Sequence, residues 1–296
     1  MRDNFSDSVI MRGKPRKVPA SPKVTIAIGF ISRPEDNSPG EIILACESQT
    51  TYGNSKDYTA EKLNIIKFRN AKVLMANAGF VRESKLAVAS IRERAANAVV
   101  ESPQTVRLVI EEAMRDVRAS LCYGKSITDE RAFFLNLDHG FDFLIGFYFH
   151  QTPYLFHVNI SGCTVCPVEN ENYAAIGCGD ELARYLIKEY QKADPRFIHC
   201  DQIAVSIIEK VKLHIVGCGG PTRVGHVFPS AIENLHSQAS IYPDGTVNLL
   251  ARELERQEHT IAENRNVLMR QVIENTHRMM EQKIKEGGEI TVIFER

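Results

Sequence analysis

No apolar run in this sequence approaches the roughly 18 residues that a membrane-spanning helix needs, so no transmembrane span and no membrane partner are expected. The opening stretch, MRDNFSDSVIMRGKPRKVP, lacks the continuous apolar core of a secretory signal. An excess of charge is also missing. The chain carries 36 Lys and Arg against 37 Asp and Glu, which leaves no electrostatic footprint for nucleic acid. A regular cysteine framework is absent as well. Cys46, Cys122, Cys163, Cys166, Cys178, Cys200 and Cys218 are odd in number and irregular in spacing. In a chain long enough to bury its own core they read as reduced thiols of a cytoplasmic protein. Cys163-Thr-Val-Cys166 has no second ligand pair at a clear spacing. It reads first as a β-rich segment that carries two thiols, and second as a metal or redox pair. No internal repeat is visible.

What the chain does contain is a succession of β and α signals. Residues 1–24 are polar and basic, with Pro15, Pro19 and Pro22, and read as an arm or a removable prosegment. Val24–Phe30 and Glu41–Glu47 are apolar and rich in branched residues. The turn-rich loop between them makes the pair a hairpin. Leu63–Phe68 and Lys72–Ala78 suggest two further strands. A helix is expected over 83–99 and another from Ser102-Pro103, a cap residue followed by proline at the first helical position. Val106, Val109, Ile110, Ala113, Met114 and Val117 give this second helix one buried stripe. Strands are expected over 141–150, 154–159 and 163–168. Two helices follow from Asp180 and Asp201. A glycine-rich turn, GCGGPTRVGHVFP, leads into a short strand, and Gln238–Leu250 carries a hairpin signal at Pro243-Asp244-Gly245. Strands, two helices, strands, two helices and strands suit an α+β, four-layer αββα sandwich of two stacked, mainly antiparallel sheets. Residues 251–296 shift to a long charged helix with Leu254, Ile261, Leu268, Val272 and Met279 at heptad-like spacing, then a terminal strand EITVIFE. That helix packs either on its own domain or on another copy.

The run TIAIGF, EIILACESQTTYGN, EKLNIIKF and VLMANAGF resembles the first third of a proteasome β-type subunit, and YAAIGCGDELARYLI resembles the family's later strand-to-helix junction. The resemblance covers residues 25–250 and lies nearer to the bacterial ancestral β-subunits of this N-terminal-nucleophile hydrolase superfamily. It implies a threonine-type peptidase acting in a self-assembled oligomer on peptides or unfolded proteins. An unfoldase ATPase is a candidate partner, and no cofactor is implied. It also implies roles for Thr25 as nucleophile, Lys62 as the neighbouring ammonium and Glu47 as the carboxylate that orients it. Gly79 would supply the oxyanion N–H, and Cys178 occupies the place of a serine that bonds to the threonine amine.

The first strand's register selects the nucleophile. With Thr25 at the strand mouth, Ile26, Ile28 and Phe30 face the core and Gly29 faces the cleft; a one-residue slip exchanges the faces. Burying three large apolar side chains rather than small ones, at about 25 cal/mol per Å², favours Thr25 by several kcal/mol. An amino-terminal threonine combines a hydroxyl nucleophile with an amine base of ordinary pKa about 7.7–8.0. Each residue also has a structural reading. Thr25 is then a strand threonine, Glu47 and Lys62 are surface charges, Gly79 makes a turn and Cys178 is a small buried residue. A strand-edge Lys62 would contribute little stability. Thr50 and Thr51 line a cleft or shape a turn, and Gly177-Cys178-Gly179 either cradles an anion or simply turns.

Two departures from the family pattern support a different class of function, a non-catalytic scaffold or partner-binding subunit. Lys23 and stiff Val24 precede Thr25 where many members have glycine. The stretch HIVGCGGPTR holds no carboxylate where the family places an aspartate.

Overall fold

The computed structural model describes residues 25–32, 40–52, 55–57, 61–79, 81–123, 141–159, 164–168, 172–193, 196, 200–232, 235–243 and 246–252, with isolated positions 256, 260, 271, 274 and 278. At 50–52, 55–57, 82, 164 and 193 only the backbone is described. The arm of residues 1–24, the heptad-like stripe and the terminal strand lie outside the described residues.

Among the described residues, the principal elements follow one another in this order. The first group is β1 (Ile26–Ile31), β2 (Ile42–Glu47), β3 (Thr50–Tyr52), β4 (Ser55–Asp57), β5 (Leu63–Lys67) and β6 (Lys72–Ala78). Helices α1 (Val81–Asn97) and α2 (Pro103–Leu121) come next. Strands β7 (Asp142–Phe149), β8 (Thr152–Asn159), β9 (Thr164–Pro167) and β10 (Tyr173–Gly177) precede α3 (Asp180–Ala193) and α4 (Cys200–His214). β11 (Thr222–Pro229) and β12 (Ser237–Ile241) complete the series. One sheet has the order β10-β1-β2-β11-β12, the other β5-β6-β7-β8-β9, and every pairing is antiparallel.

Three apolar layers hold these elements together. Ile26, Ile28 and Phe30 of β1 pack with Ile43 and Ala45 beneath Ala183, Ile187, Ile207 and Val211 of α3 and α4. Val73, Met75, Phe143, Ile145 and Phe147 pack beneath Ile91, Val106, Ile110 and Met114 of α1 and α2. Between the sheets, Ala27, Ile42 and Leu44 meet Leu74, Ala76, Leu144 and Leu155. Each sheet is therefore apolar on both faces, and the result is the expected αββα sandwich. On the surface, Arg94 of α1 bridges to Glu112 and Asp116 of α2. Among the described residues no helix is long and apolar enough to cross a membrane.

Several details differ from expectation. Gly29 does not face a cleft. It lies in the inter-sheet layer, where an added Cβ would stand 2.7 Å from Leu44 and 3.2 Å from Leu155. Ser102 occupies the N-cap of α2 without a side-chain cap bond. The polar stretch after β2 forms a small hairpin, β3 paired with β4. Residues after the expected Pro243-Asp244-Gly245 turn are helical over 246–252 rather than extended. Thr246 N–H and Val247 N–H both donate to Pro243 O, at 2.9 and 3.3 Å, which starts the chain on a helical path. Val247 then docks under the α3–α4 layer.

Candidate active site

Antiparallel pairing gathers distant parts of the chain at one end of the sandwich. Thr25 stands just before β1, Glu47 ends β2, Lys62 just precedes β5, Ala78 ends β6, Gly177 ends β10 and Thr222 opens β11. In register, Ile26 faces Gly177, Glu47 faces Thr222 and Leu63 faces Ala76. The first sheet thus supplies Thr25, Glu47 and Cys178, and the second supplies Lys62.

Thr25 is clamped through its backbone. Its carbonyl accepts from Cys178 N–H at 2.8 Å, and its own N–H points to Cys178 Sγ at 3.2 Å. The sulfur also lies 3.3 Å from Thr25 O, so a protonated thiol donates there. Gly177 makes this closeness feasible. Its φ is +103°, and an added Cβ would stand 2.1 Å from Thr25 O and 3.3 Å from Ala78 Cβ. Gly179 is equally committed to packing, since a Cβ there would stand 2.4 Å from Val211. Gly177 serves close backbone approach, and Gly179 makes room for the Val211 side chain.

Lys62 joins the two sheets electrostatically. Its Nζ donates to Thr25 Oγ1 at 2.9 Å, to Glu47 Oε1 and to Gln49 O. Three acceptors match the three N–H bonds of an ammonium. Thr25 and Glu47 have no exposed surface and Lys62 is 1% exposed. The reading of Glu47 and Lys62 as surface charges is therefore corrected, and so is the low stability cost assigned to Lys62. Burial pushes the Glu47 carboxyl above its ordinary pKa, against the opposing pull of Lys62 and of hydrogen bonds from Lys62, Thr25 and Gln49.

The turn after α4 closes the site without a carboxylate. Gln49 Nε2 donates to Gly217 O at 3.0 Å, and Gln49 N–H donates to Gly219 O at 3.0 Å and to Glu47 Oε2 at 2.5 Å. Gly219 N–H reaches Glu47 Oε2 at 3.4 Å. Backbone groups therefore meet Glu47 where the family pattern would place an aspartate. The same turn brings Cys218 Sγ to 3.4 Å from Cys178 Sγ. Gln49 and Cys218 were missed as site residues. The repeated tripeptide GCG, at 177–179 and 217–219, was a signal for Cys218; nothing local pointed to Gln49.

Gly79 follows β6 at the same end, with φ +112°. The side chains of Thr50 and Thr51, and residue Cys163, lie outside what is described. Cys166 is exposed on β9. Among the described residues no group of three His, Cys, Asp or Glu side chains is placed to hold a metal ion.

Solved structures share this architecture. Anbu, an ancestral β-subunit from Yersinia bercovieri, matches with TM-score 0.60 and 15% identity, over 81% of this chain and 97% of that one. Anbu from Hyphomicrobium sp. strain MC1 gives 0.57 and 13%, over 81% and 97%. The helically assembled Anbu complex of Pseudomonas aeruginosa gives 0.56 and 13%, over 81% and 96%. At such identities the likeness speaks for the fold. Comparison with curated proteins finds no match. The sequence profile of the proteasome subunit family matches residues 37–214. With more than half of the chain so matched, and the αββα sandwich around it, this chain belongs to the proteasome subunit family.

Proposed function

We propose that the chain is a threonine-type endopeptidase that works in the cytoplasm, in an assembly of its own copies, after removal of residues 1–24. The observation that carries this reading is the 2.9 Å bond from Lys62 Nζ to Thr25 Oγ1, with Glu47 on the same ammonium. Cleavage of the Val24–Thr25 bond turns Thr25 N into an α-amine beside its own hydroxyl. The hydroxyl attacks a peptide carbonyl carbon and the amine takes its proton. The Lys62 ammonium disfavours a second positive charge and so keeps the amine in its neutral, basic form. Cys178 Sγ orients that nitrogen. Gly79 N–H is assigned to the tetrahedral oxyanion, a contribution often worth about 3 kcal/mol. Collapse of the tetrahedral species transfers the amine's proton to the leaving nitrogen, and water then hydrolyses the threonine ester. Peptides or unfolded proteins are the substrates, with an unfoldase ATPase as candidate partner. The Anbu complex of Pseudomonas aeruginosa is a helical assembly, which supports self-association here.

A second reading, a non-catalytic scaffold, is favoured by the turn at 215–221, which has no carboxylate. Intact mass and peptide hydrolysis separate the two. The enzyme loses residues 1–24 on assembly and cleaves a fluorogenic peptide, and Thr25→Ala does neither. A wild-type chain that stays full-length and inert through assembly establishes the scaffold instead.

A further inference from the structure

One sulfur touches the candidate nucleophile and a second touches the first, and only the first has a place in the reaction just described. Cys178 Sγ and Cys218 Sγ are 3.4 Å apart, on the turn after β10 and the turn after α4. Cys218 is 7% exposed, whereas Cys178 is partly open to solvent. We propose that Cys178 and Cys218 form a dithiol site for hydroperoxides, which closes to a reversible disulfide and disengages Thr25.

The two sulfurs are not equivalent. Cys178 Sγ lies within hydrogen-bond reach of Cys218 Sγ, and Thr25 N–H donates to it as well. These contacts bring Cys178 down to about 7, led by the Cys218 bond. The same contact and burial push Cys218 up. Cys46, buried without such donors, is pushed up to about 12. Cys178 is therefore the more readily ionised sulfur of the pair, and the partly exposed one, as an attacking sulfur must be.

The chemistry follows from that asymmetry. Cys178 thiolate attacks the outer oxygen of a hydroperoxide; the O–O bond breaks, Cys178 becomes the sulfenic acid, and the alkoxide or hydroxide leaving group takes a proton from solvent. Cys218 sulfur then attacks Cys178 sulfur, the S–OH bond breaks, and the Cys218 proton leaves with the hydroxide as water. The sulfur pair loses two electrons and the peroxide gains them. A dithiol reductant reverses the step by exchange. Closing to a bond of about 2.05 Å draws the two sulfurs together by about 1.3 Å. It also takes the ionisable sulfur away from Thr25 N–H, from which it accepts in the reduced chain.

This regulatory consequence rests on the reading of Thr25 given above; the dithiol site itself does not. The experiment treats the reduced full-length chain with a few equivalents of hydrogen peroxide, alkylates it, and maps its peptides by mass. The expected product is a Cys178–Cys218 cross-linked peptide, with the intact mass about 2 Da lower before alkylation and two fewer alkylated cysteines, restored by dithiothreitol. In Cys218→Ser the reaction stops at a Cys178 sulfenic acid that a cyclic dione traps. A chain in which Cys178 and Cys218 remain fully alkylated while exposed Cys166 is consumed overturns the proposal. Val24–Thr25 cleavage is followed in parallel, with at least a tenfold slowing expected in the oxidised chain. Equal cleavage rates overturn the link to Thr25. Cleavage in neither form refutes the peptidase reading, and the mass map still decides the dithiol site.

Discussion

Lys62 is the residue on which the site's energetics turn. Its three donors are all engaged inside a region closed to solvent. Removing it leaves the Glu47 carboxylate buried without its counter-charge, which typically costs about 3–5 kcal/mol. Lys62→Met is therefore expected to lower the chemical-denaturation midpoint strongly, as well as to abolish peptide hydrolysis. The raised Glu47 pKa shows that burial opposes the charged carboxylate even beside Lys62. It follows that Lys62→Met with Glu47→Leu recovers a large part of the lost stability while staying inactive. A double-variant midpoint no higher than that of Lys62→Met refutes this account. The sequence named Thr25, Glu47 and Lys62 individually, but it could not weigh them. Burial at a strand end depends on how two sheets stack, and a charged residue beside an apolar run looks the same whether the stack covers it or not. Gln49 was illegible for a related reason. Its partners Gly217 and Gly219 lie about 170 residues away, in a turn whose position depends on α4.

At the scale of elements, alternation carried the reading of β1 but not its full meaning. Ile26, Ile28 and Phe30 were expected on one face and do share it. The opposite face, Ala27 and Gly29, is small rather than polar because the second sheet packs against it. A strand buried on both sides has no polar face to advertise a cleft. The β3–β4 hairpin escaped notice because TTY and SKD offer no apolar pattern. The junction of β10 with α3 is the tightest point. Gly177→Ala puts a Cβ against Thr25 O, 2.1 Å away, at a φ of +103°. Strain of this kind alone costs about 1–3 kcal/mol, and the clash adds to it. The variant is expected to unfold at lower denaturant and to lose the Thr25–Cys178 contact. The N-terminus of α2 gives the opposite expectation. A working serine cap is worth about 1 kcal/mol, but Ser102 makes no side-chain cap bond. Ser102→Ala should shift stability by less than about 0.5 kcal/mol. A loss near the full cap value would show that Ser102 caps the helix in solution.

For the whole molecule, burial and chemistry must be reconciled. In the peptidase reading, a Thr25 with no exposed surface cannot meet a peptide in the intact chain. The nitrogen of Thr25 donates to Cys178 Sγ, and it cannot act as a base while it is part of a peptide bond. Cleavage before Thr25 would create the free amine that the peptidase reading requires. The intact chain is thus expected to be latent, and latency should depend on the covalent junction rather than on the fold. A chain produced to begin at Thr25, by removal of a cleavable fusion partner, should hydrolyse a fluorogenic peptide from the start, with no lag. Full-length protein should show a lag that tracks the appearance of the shortened mass. A chain beginning at Thr25→Ala should fold to the same melting temperature within a few degrees and remain inert. If the chain that begins at Thr25 is folded and inert as well, the charges gathered around Lys62 serve the sandwich and not catalysis, and the scaffold reading prevails.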